Sequence, residues 1–392
     1  MVSSIPRVRC DNRRSPGPPA RVVASPPVSQ HPRDRRPQRI AVLPGDGIGV
    51  DVTTEAVKVL EAAAERWALP VELQHYPWSA EHYLATGETI PPGAFADLRE
   101  RFSAILIGAY GDPRVPDMRH AADILLGIRF KLDLYINLRP IKLYDERLCP
   151  LKGKGVRDVD MVVFRENTEG AYVGAGGIFK AGTPDEIAVQ EEIHTRKGVE
   201  RIIRAAFEYA VKHNRREVCM ADKSNAMRHS GDLWQRCFAE VAAEHPQVGN
   251  RHLYVDALTM QMVKVPESFD VIVTNNMFGD IVTDLGAGLQ GGLGVAGSAN
   301  LHPGEVSMFE PVHGSAPKYA GTGRANPVGA ILSVSLMLDY LGHAEAATEI
   351  ENAVAQSIRD GQTAVDLGGT LTTSQVGDFI ARAVAAPAAA HS

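Results

Sequence analysis

Short apolar or alternating runs along the chain are each followed by a turn and then by helical spacing of apolar positions. The runs lie at 39–44, 71–76, 103–108, 160–165, 217–221, 252–256 and 269–274. Helical spacing is clearest at 121–134, 197–212, 234–243, 329–341 and 344–359. Runs that are apolar at nearly every position are typical of strands buried on both faces. Because strands and helices alternate, the pattern predicts a doubly wound α/β fold around a largely parallel sheet.

The stretch from Phe269 to Leu285 combines such a strand with an apolar, glycine-rich helix that begins after Asn275-Asn276. Asp280 and Asp284 are four residues apart, so a helix places both carboxylates on one face. Like charges repel there unless a cation lies between them, and carboxylate oxygens suit Mg²⁺ or Mn²⁺. The spacing predicts two metal ligands, and the alternative is a solvated helix face that carries two acids.

Composition narrows the class of protein. The 392 residues allow two domains, and 44% hydrophobic with 22% charged residues is typical of a soluble globular protein. No apolar run approaches the roughly 20 residues needed to span a bilayer, so no membrane association is expected. The four cysteines are scattered, which predicts neither disulfides nor a zinc site and fits a cytoplasmic location.

Charge is distributed unevenly. Residues 1–39 carry nine arginines against Asp11 and Asp34, while the whole chain has a net charge of −6. The remaining chain is therefore acidic, and nucleic-acid binding is not expected of it; the alternative is nucleic-acid binding through the arginine-rich segment 1–38. Residues 1–38 are rich in Pro and Arg without periodicity, which predicts a disordered tail. The alternatives for this segment are an organelle transit peptide and a mis-assigned start.

Three arginines accompany apolar elements: Arg129 lies on an apolar helix, and Arg139 and Arg165 are each expected to close an apolar strand. A buried unpaired charge is very costly, so these arginines need anionic partners. Guanidinium groups bind carboxylates bidentately, which predicts a small substrate with two or more carboxylates. The alternative is pairing with acids of the chain itself, such as Asp133, Glu166 or Glu169.

Other ionisable residues follow neighbouring strands. Lys223 and Asp256 each close an apolar run, and Tyr172 follows Arg165 by seven residues. Ligands of open α/β sheets bind outside the carboxyl ends of strands, so these side chains are expected to meet at one edge. The glycine turn at 45–49 is not G-x-G-x-x-G, and on its own it favours a tight turn over a nucleotide site.

Six motifs together resemble the isocitrate, 3-isopropylmalate and tartrate/D-malate dehydrogenase family over about residues 39–385. They are LPGDGIG at 43–49, NLRP at 137–140, RENTEG at 165–170, DKSN at 222–225, the segment 275–292 and EPVHGSAP at 310–317. The resemblance implies a two-domain isopropylmalate-dehydrogenase-like fold with a mixed, largely parallel sheet and a non-Rossmann cofactor site. It implies a large, cofactor-side domain at 39–140 and 295–385. The smaller domain, at 141–294, would carry the dimer interface and the metal-binding helix.

The resemblance also implies roles for individual residues. Those proposed for the substrate are Leu125, Leu126, Arg129, Arg139, Arg165 and Tyr172. The implied ligands of Mg²⁺ or Mn²⁺ are Asp256, Asp280 and Asp284. The implied catalytic residues are Tyr172, Lys223 and Asp256. Those proposed for NADP or NAD are Ile48, Glu310, His313, Gly314, Ser315, Ala316, Lys318, Tyr319 and Asn326. A homodimer is implied, whose active sites take Lys223 and Asp256 from the partner subunit.

Two positions bear on specificity. Leu125 and Leu126 favour an apolar substituent, and Asp123 would repel a third carboxylate, so the expected reaction is oxidative decarboxylation of 3-isopropylmalate in leucine biosynthesis. Isocitrate, homoisocitrate, tartrate, D-malate and a malate analogue of a specialised pathway remain open. Lys318-Tyr319 replaces the aspartate of NAD-using members, which favours NADP. A non-catalytic regulatory subunit is the minor alternative, although the catalytic residues and metal ligands are all present.

Overall fold

The computed structural model describes residues 37–386, so the tail predicted at 1–38 lies almost wholly outside the described residues. Within this range, ten strands form one sheet and two form a separate hairpin. The strands are β1 (Gln38–Gly45), β2 (Val71–His75), β3 (Ala104–Ala109), β4 (Ile136–Lys142), β5 (Asp160–Glu166), β6 (Gly176–Phe179), β7 (Ile187–Gln190), β8 (Glu217–Asp222), β9 (Gly249–Tyr254), β10 (Val271–Thr274), β11 (Gly297–Leu301) and β12 (Ser307–Pro311).

Helices connect these strands and cover the sheet. They are α1 (Ile48–Trp67), α2 (Ala80–Thr86), α3 (Ala94–Arg101), α4 (Arg119–Ala121), α5 (Gly127–Lys131), α6 (Arg196–Lys212), α7 (Arg228–Glu244), α8 (Val255–Lys264), α9 (Asn276–Gln290), α10 (Val328–Tyr340), α11 (Ala344–Arg359) and α12 (Thr373–Ala385). None of the helices in the described part of the chain is long and apolar enough to cross a membrane.

The large sheet has the order β2-β1-β3-β12-β11-β4-β5-β10-β8-β9. Its pairs are parallel except for β11 with β12, β11 with β4, and β4 with β5. The prediction of an α/β fold with a mixed, largely parallel sheet is confirmed. The sheet is continuous across the predicted domain boundaries, and the division into two domains stays a prediction.

Helix α6 shows how the sequence pattern produces the packing. Thr195 accepts a hydrogen bond from Gly198 N and caps the helix at its start. One face of the helix, including Ile203 and Phe207, is fully buried in the largest core cluster. Burying a side chain such as Phe207 contributes about 1.5–3 kcal/mol. The apolar positions that recur with helical spacing at 197–212 therefore form the face of α6 that packs on the core.

Several elements differ from the sequence prediction. The run at 252–256 leaves the sheet after Tyr254, and Asp256 lies in the first turn of α8, because the chain becomes helical at Val255. Arg139 lies in the middle of β4 and does not close it. The single helix predicted at 121–134 is divided into three consecutive segments, which are α4, a π-helical turn at Ala122–Leu126, and α5. The elements β6, β7, α2, α3, α8, β11, β12 and α12 were not predicted.

Candidate active site

Helix α9 packs directly against Arg165, which is 2% exposed. A Cβ atom at Gly279 would lie 2.6 Å from Cβ of Arg165, so glycine is required for this approach. The guanidinium donates from Nε and Nη2 to Oδ1 of Asn276, at 3.0 and 2.8 Å, and from Nη1 to Asp280. The start of α9 and the end of β5 are thus held together by one buried cation.

Arg139 and Arg129 complete a cluster of three arginines. Nη1 of Arg139 donates to Oγ1 of Thr283 at 2.6 Å and lies 3.7 Å from Asp280. Nη2 of Arg129 donates to Oε1 of Glu310 at 2.7 Å. The Nε atoms of Arg129 and Arg139 are buried, and neither has a hydrogen-bond partner within residues 37–386. The cluster therefore contains unpartnered donors and more cations than anions, and unpartnered buried polar groups often mark a functional site.

The alternative partners considered for these arginines are engaged elsewhere. Asp133 accepts from Arg201 at 2.8 and 2.9 Å. Glu166 accepts from the backbone of Thr168 and Glu169, each at 2.8 Å. Glu169 accepts from the backbone N–H and from Oγ1 of Thr195, at 2.8 and 2.5 Å. The interpretation that Arg129, Arg139 and Arg165 pair with Asp133, Glu166 or Glu169 is wrong. The acids that do pair with them, Asp280 and Glu310, come from α9 and β12.

Electrostatics within the cluster show an excess of positive charge. Burial, together with Arg165 and Arg129, lowers the pKa of Arg139 to about 10. Burial also lowers the pKa of Arg165, although Asp280 opposes this effect. Mutual repulsion of buried cations depresses their pKa values until anions join them. A substrate carboxylate would relieve this repulsion.

Tyr172 joins the cluster from a short 3₁₀ turn at Ala171–Val173. Its hydroxyl donates to Oδ2 of Asp280 at 2.9 Å, and its ring centroid lies 5.3 Å from the guanidinium carbon of Arg165. Burial, with the hydrogen bond to Asp280, raises the pKa of Tyr172. Burial raises the pKa of Asp280 too, but Arg165, Arg139 and Tyr172 outweigh it and hold that pKa below its ordinary value. The phenol is therefore held protonated beside a carboxylate.

Lys223 and Asp256 form a pair at 2.6 Å outside the cluster just described. The hydrogen bond from Lys223 lowers the pKa of Asp256. Behind Lys223, buried Asp222 lies 2.7 Å from Nε2 of His252. Among residues 37–386, no three His, Cys, Asp or Glu side chains form one metal-binding group. A single chain therefore does not bring Asp256 together with Asp280 and Asp284.

The two acids of α9 offer part of a metal site. The side chain of Asp284 is exposed and makes no hydrogen bond or ion pair within the described residues. Asp280 lies one turn earlier and is partly exposed. Their oxygens suit a hard divalent cation, but two carboxylates fill only part of its coordination shell. The donors fit Mg²⁺ or Mn²⁺ if other ligands are added.

The leucine pair lies on the π-helical turn that leads into Arg129. Leu125 and Leu126 are partly buried, whereas Ile124 is fully buried in the core. Asp123 is exposed and accepts a hydrogen bond from Oγ1 of Thr89 at 2.9 Å. Since π-helical turns often occur at functional sites, the turn itself supports this segment as part of the site. Sequence periodicity does not reveal the turn.

Two loops expected to hold the cofactor lie against each other. The N–H of Ile48 donates to the carbonyl oxygen of Ser315 at 2.8 Å. Gly47 has φ of 57°, and a Cβ there would lie 2.2 Å from the same oxygen. Asp46 holds the turn in place by accepting from Ala80 N at 2.6 Å and Gly111 N at 2.9 Å. The role of Asp46 was not predicted, and only its place in the quoted motif could have indicated it.

The remaining residues expected to bind the cofactor lie in or after the loop that follows β12. His313 contacts the carbonyl of adjacent Gly314, and its buried Nε2 has no partner within residues 37–386. Asn326 donates to Asp366 at 3.0 Å. Ala316 precedes the 3₁₀ turn at Pro317–Tyr319. The close-fitting glycine turn and the unfilled nitrogen of His313 fit a bound nucleotide.

Two cations flank one aromatic ring in this loop. Nζ of Lys318 lies 4.7 Å from the ring centroid of Tyr319, and the guanidinium of Arg324 lies 5.5 Å from it. The backbone N–H of Gly321 donates to Asp51 of α1 at 2.8 Å, which ties the loop to the helix that follows the glycine turn. Exposed cations beside an aromatic ring suit a phosphate group.

Comparison with known proteins identifies relatives over nearly the whole described chain. A family model described as isocitrate/isopropylmalate dehydrogenase matches residues 39–380. The chain is 48% identical over 352 residues to the 3-isopropylmalate dehydrogenase of Thermobifida fusca, which covers 89% of this chain and 98% of the relative. It is 46% identical over 347 residues to that of Frankia casuarinae, with 88% and 99% covered. The crystal structure of isocitrate dehydrogenase from Methylococcus capsulatus has a TM-score of 0.80 at 35% identity, with 89% of this chain and 100% of that chain covered.

Proposed function

The chain belongs to the isocitrate/isopropylmalate dehydrogenase family, and from this premise we propose that it oxidatively decarboxylates 3-isopropylmalate to 4-methyl-2-oxopentanoate. The single observation that carries this proposal is the arginine cluster. Arg139 and Arg165 are buried and Arg129 is partly buried. Within residues 37–386 these three guanidinium groups pair with two acids, Asp280 and Glu310, and two of their nitrogens lack a partner. A substrate with two carboxylates would supply the anions that this cluster of three arginines lacks.

The substituent of the substrate is proposed from the π-helical turn. Leu125 and Leu126 are half-buried apolar side chains just before Arg129, where a branched alkyl group could pack. Asp123 carries a negative charge on the same turn and would disfavour a third carboxylate. These three residues favour 3-isopropylmalate over isocitrate. The second candidates are homoisocitrate, tartrate, D-malate and malate analogues.

The chain's own residues would move two protons. Lys223 would take the proton from the 2-hydroxyl, and the nicotinamide cofactor would accept the hydride from C2. Mg²⁺ or Mn²⁺, held by Asp280 and Asp284 with Asp256, would supply Lewis-acid polarisation at the same oxygen. After loss of the β-carboxylate, Tyr172 would donate its proton to C3, since its raised pKa keeps the phenol protonated.

A homodimer with shared active sites is part of the proposal. Asp256 of α8 does not join Asp280 and Asp284 within one chain. Apolar side chains on α8 and α9 are exposed, among them Met260 at 49% and Ile281 at 58%. Hairpin β6–β7 also exposes Ile178 and Phe179. Apolar surface of this kind favours a protein interface, and a second copy could bring Lys223 and Asp256 to the metal-binding helix.

NADP is proposed as the preferred cofactor, with NAD as the alternative. The exposed cations Lys318 and Arg324 flank Tyr319 where a 2′-phosphate could bind. We also propose that residues 39–140 and 295–385 form a cofactor-side domain, that residues 141–294 form a smaller domain, and that the protein is cytoplasmic.

The test is a substrate panel with Mn²⁺ and both cofactors, comprising 3-isopropylmalate, isocitrate, homoisocitrate, D-malate and tartrate. We expect the highest kcat/KM with 3-isopropylmalate. Leu125→Ala should lower that value by about 10–100-fold and leave D-malate, which lacks the alkyl group, nearly unchanged. Faster turnover of isocitrate than of 3-isopropylmalate by the wild-type enzyme would contradict the assignment.

A further inference from the structure

Three buried asparagines from different parts of the sheet converge behind the arginine cluster. Asn137 lies on β4, Asn300 on β11, and Asn167 directly after β5. Each is at most 2% exposed. The amide groups of Asn137 and Asn167 both donate to Oδ1 of Asn300 at 3.0 Å. Because its oxygen is held by two donors, the NH₂ group of Asn300 must point the opposite way.

That NH₂ group meets the carboxylate of Glu310. Nδ2 of Asn300 donates to Oε1 of Glu310 at 2.8 Å, and Nη2 of Arg129 donates to the same oxygen at 2.7 Å. Both Asn300 and Glu310 are buried. Two donors converging on one oxygen require an acceptor there, which an ionised carboxylate provides. No hydrogen bond within residues 37–386 reaches the second oxygen, Oε2, so it is available to a ligand.

We propose that Asn300 is a positioning residue, which holds Glu310 as a pure acceptor beside Arg129, near the end of β12 and just before the loop proposed to bind the cofactor. Through this contact the substrate subsite and the cofactor subsite share one carboxylate. Oε1 of Glu310 orients Arg129, which would bind a substrate carboxylate, and Oε2 would accept from a hydrogen-bond donor of the cofactor. The inference rests on the proposed function, because the ligand roles of Arg129 and Glu310 belong to it.

The substitution Asn300→Asp tests the inference, because it replaces only the NH₂ group of the side chain by an oxygen. One oxygen of the introduced carboxylate still accepts from Asn137 and Asn167, but the other now faces Glu310 at hydrogen-bond distance. Two carboxylates this close cannot both ionise easily, so the pair should share one proton. The charged groups that face Glu310 are Arg129 from α5, Arg139 from β4 and Arg165 from β5.

The expected result is a new ionisation in the pH profile of kcat/KM for 3-isopropylmalate. At low pH the shared proton replaces the donor that Asn300 provided, and the variant should approach wild-type activity. As pH rises through the raised pKa of the pair, an extra negative charge appears beside Arg129. The kcat/KM should then fall about tenfold per pH unit, in a limb that the wild-type enzyme lacks. Superimposable profiles, or a loss of equal size at every pH, would overturn the inference.

Asn352→Asp is the matched control. Asn352 also donates to a glutamate, Glu349 at 3.2 Å, but on α11 Asn352 is exposed and Glu349 is partly exposed. Solvent screens such a pair, so this variant should keep the wild-type pH profile.

A double variant separates charge from folding. Asn300→Asp with Glu310→Gln restores one carboxylate and one amide, so the new limb should disappear. If the single variant fails to fold and the double variant folds, the repulsion is confirmed; failure of both would overturn the inference.

A melting measurement separates this inference from the proposed function. A shared proton raises the folded-state pKa of the pair above its unfolded value, so the stability that it adds is lost as pH rises through the folded pKa. The Tm of the Asn300→Asp variant should therefore fall with pH relative to wild type. Absence of turnover by the wild-type enzyme would reject the proposed function, while this Tm comparison would still decide whether Asn300 sets the charge of Glu310. Equal pH dependence of both Tm values would overturn the inference.

Discussion

The hydroxyl of Tyr172 donates to Oδ2 of Asp280 at 2.9 Å, although 108 residues separate them in the sequence. The contact joins the proposed proton donor to a proposed metal ligand. Its effect on each group has opposite sign, since it raises the pKa of the phenol and lowers that of the carboxylate. The protonated form of Tyr172 and the ionised form of Asp280 therefore stabilise each other.

Tyr172→Phe should lower kcat by about 10²–10⁴-fold, because the proton for C3 is no longer supplied by a positioned group. The KM for 3-isopropylmalate should change little, since the arginine cluster is intact. In the wild-type enzyme the pKa of Tyr172 lies above its ordinary value of 10.0, so kcat should not fall through ionisation of Tyr172 below about pH 9. Steady-state kinetics between neutral and alkaline pH measures both effects. A kcat within threefold of wild type would contradict the role of Tyr172.

Gly279→Ala should destabilise the protein by about 1–3 kcal/mol, because the new Cβ overlaps the side chain of Arg165. It should also raise the KM for substrate as Arg165 is displaced. Gly288→Ala on the same helix is the matched control, since nothing lies within 4 Å of its added Cβ. The control should be neutral or stabilising by up to about 1 kcal/mol. Urea unfolding of the three proteins gives the comparison, and equal effects of the two substitutions would refute the packing argument.

Lys318→Asp should shift cofactor preference from NADP⁺ to NAD⁺. A carboxylate would repel the 2′-phosphate, so kcat/KM for NADP⁺ should fall about 10–100-fold, while that for NAD⁺ should change little. Lys152→Asp, at an exposed site outside the cofactor loop, controls for the change in net charge. If the wild-type kcat/KM for NAD⁺ is more than tenfold above that for NADP⁺, the proposed preference is wrong.

Lys223→Ala and Asp284→Asn should each abolish activity, and a mixture refolded together should regain it. If active sites are shared, a mixed dimer combines the intact Asp284 of one chain with the intact Lys223 of its partner. Statistical mixing then restores about one quarter of wild-type activity. Each variant refolded alone is the control. No recovery from a mixture that forms dimers by light scattering would place the whole site in one chain.

Local sequence determined much of the fold and part of the site. Strand and helix periodicity follows from which side chains are buried, so β5, β8, β10, α6 and α9 could be predicted from short windows. The pairing of Asp280 with Asp284 on one helix face depends only on their spacing. The requirement that buried arginines find anions follows from electrostatics alone, without knowledge of which anions they find.

Tertiary structure decided the partners. Arg129 reaches Glu310 and Tyr172 reaches Asp280 because β5, α9, α5 and β12 meet in the folded chain, and no local pattern encodes those distances. The same is true of Asn300, whose two donors come from β4 and from the turn after β5. The π-helical turn beside Arg129 and the early start of α8 at Val255 also depend on packing. Sequence periodicity indicates whether a residue is buried. Which side chains surround that residue, and therefore its pKa and its reactivity, depends on long-range contacts.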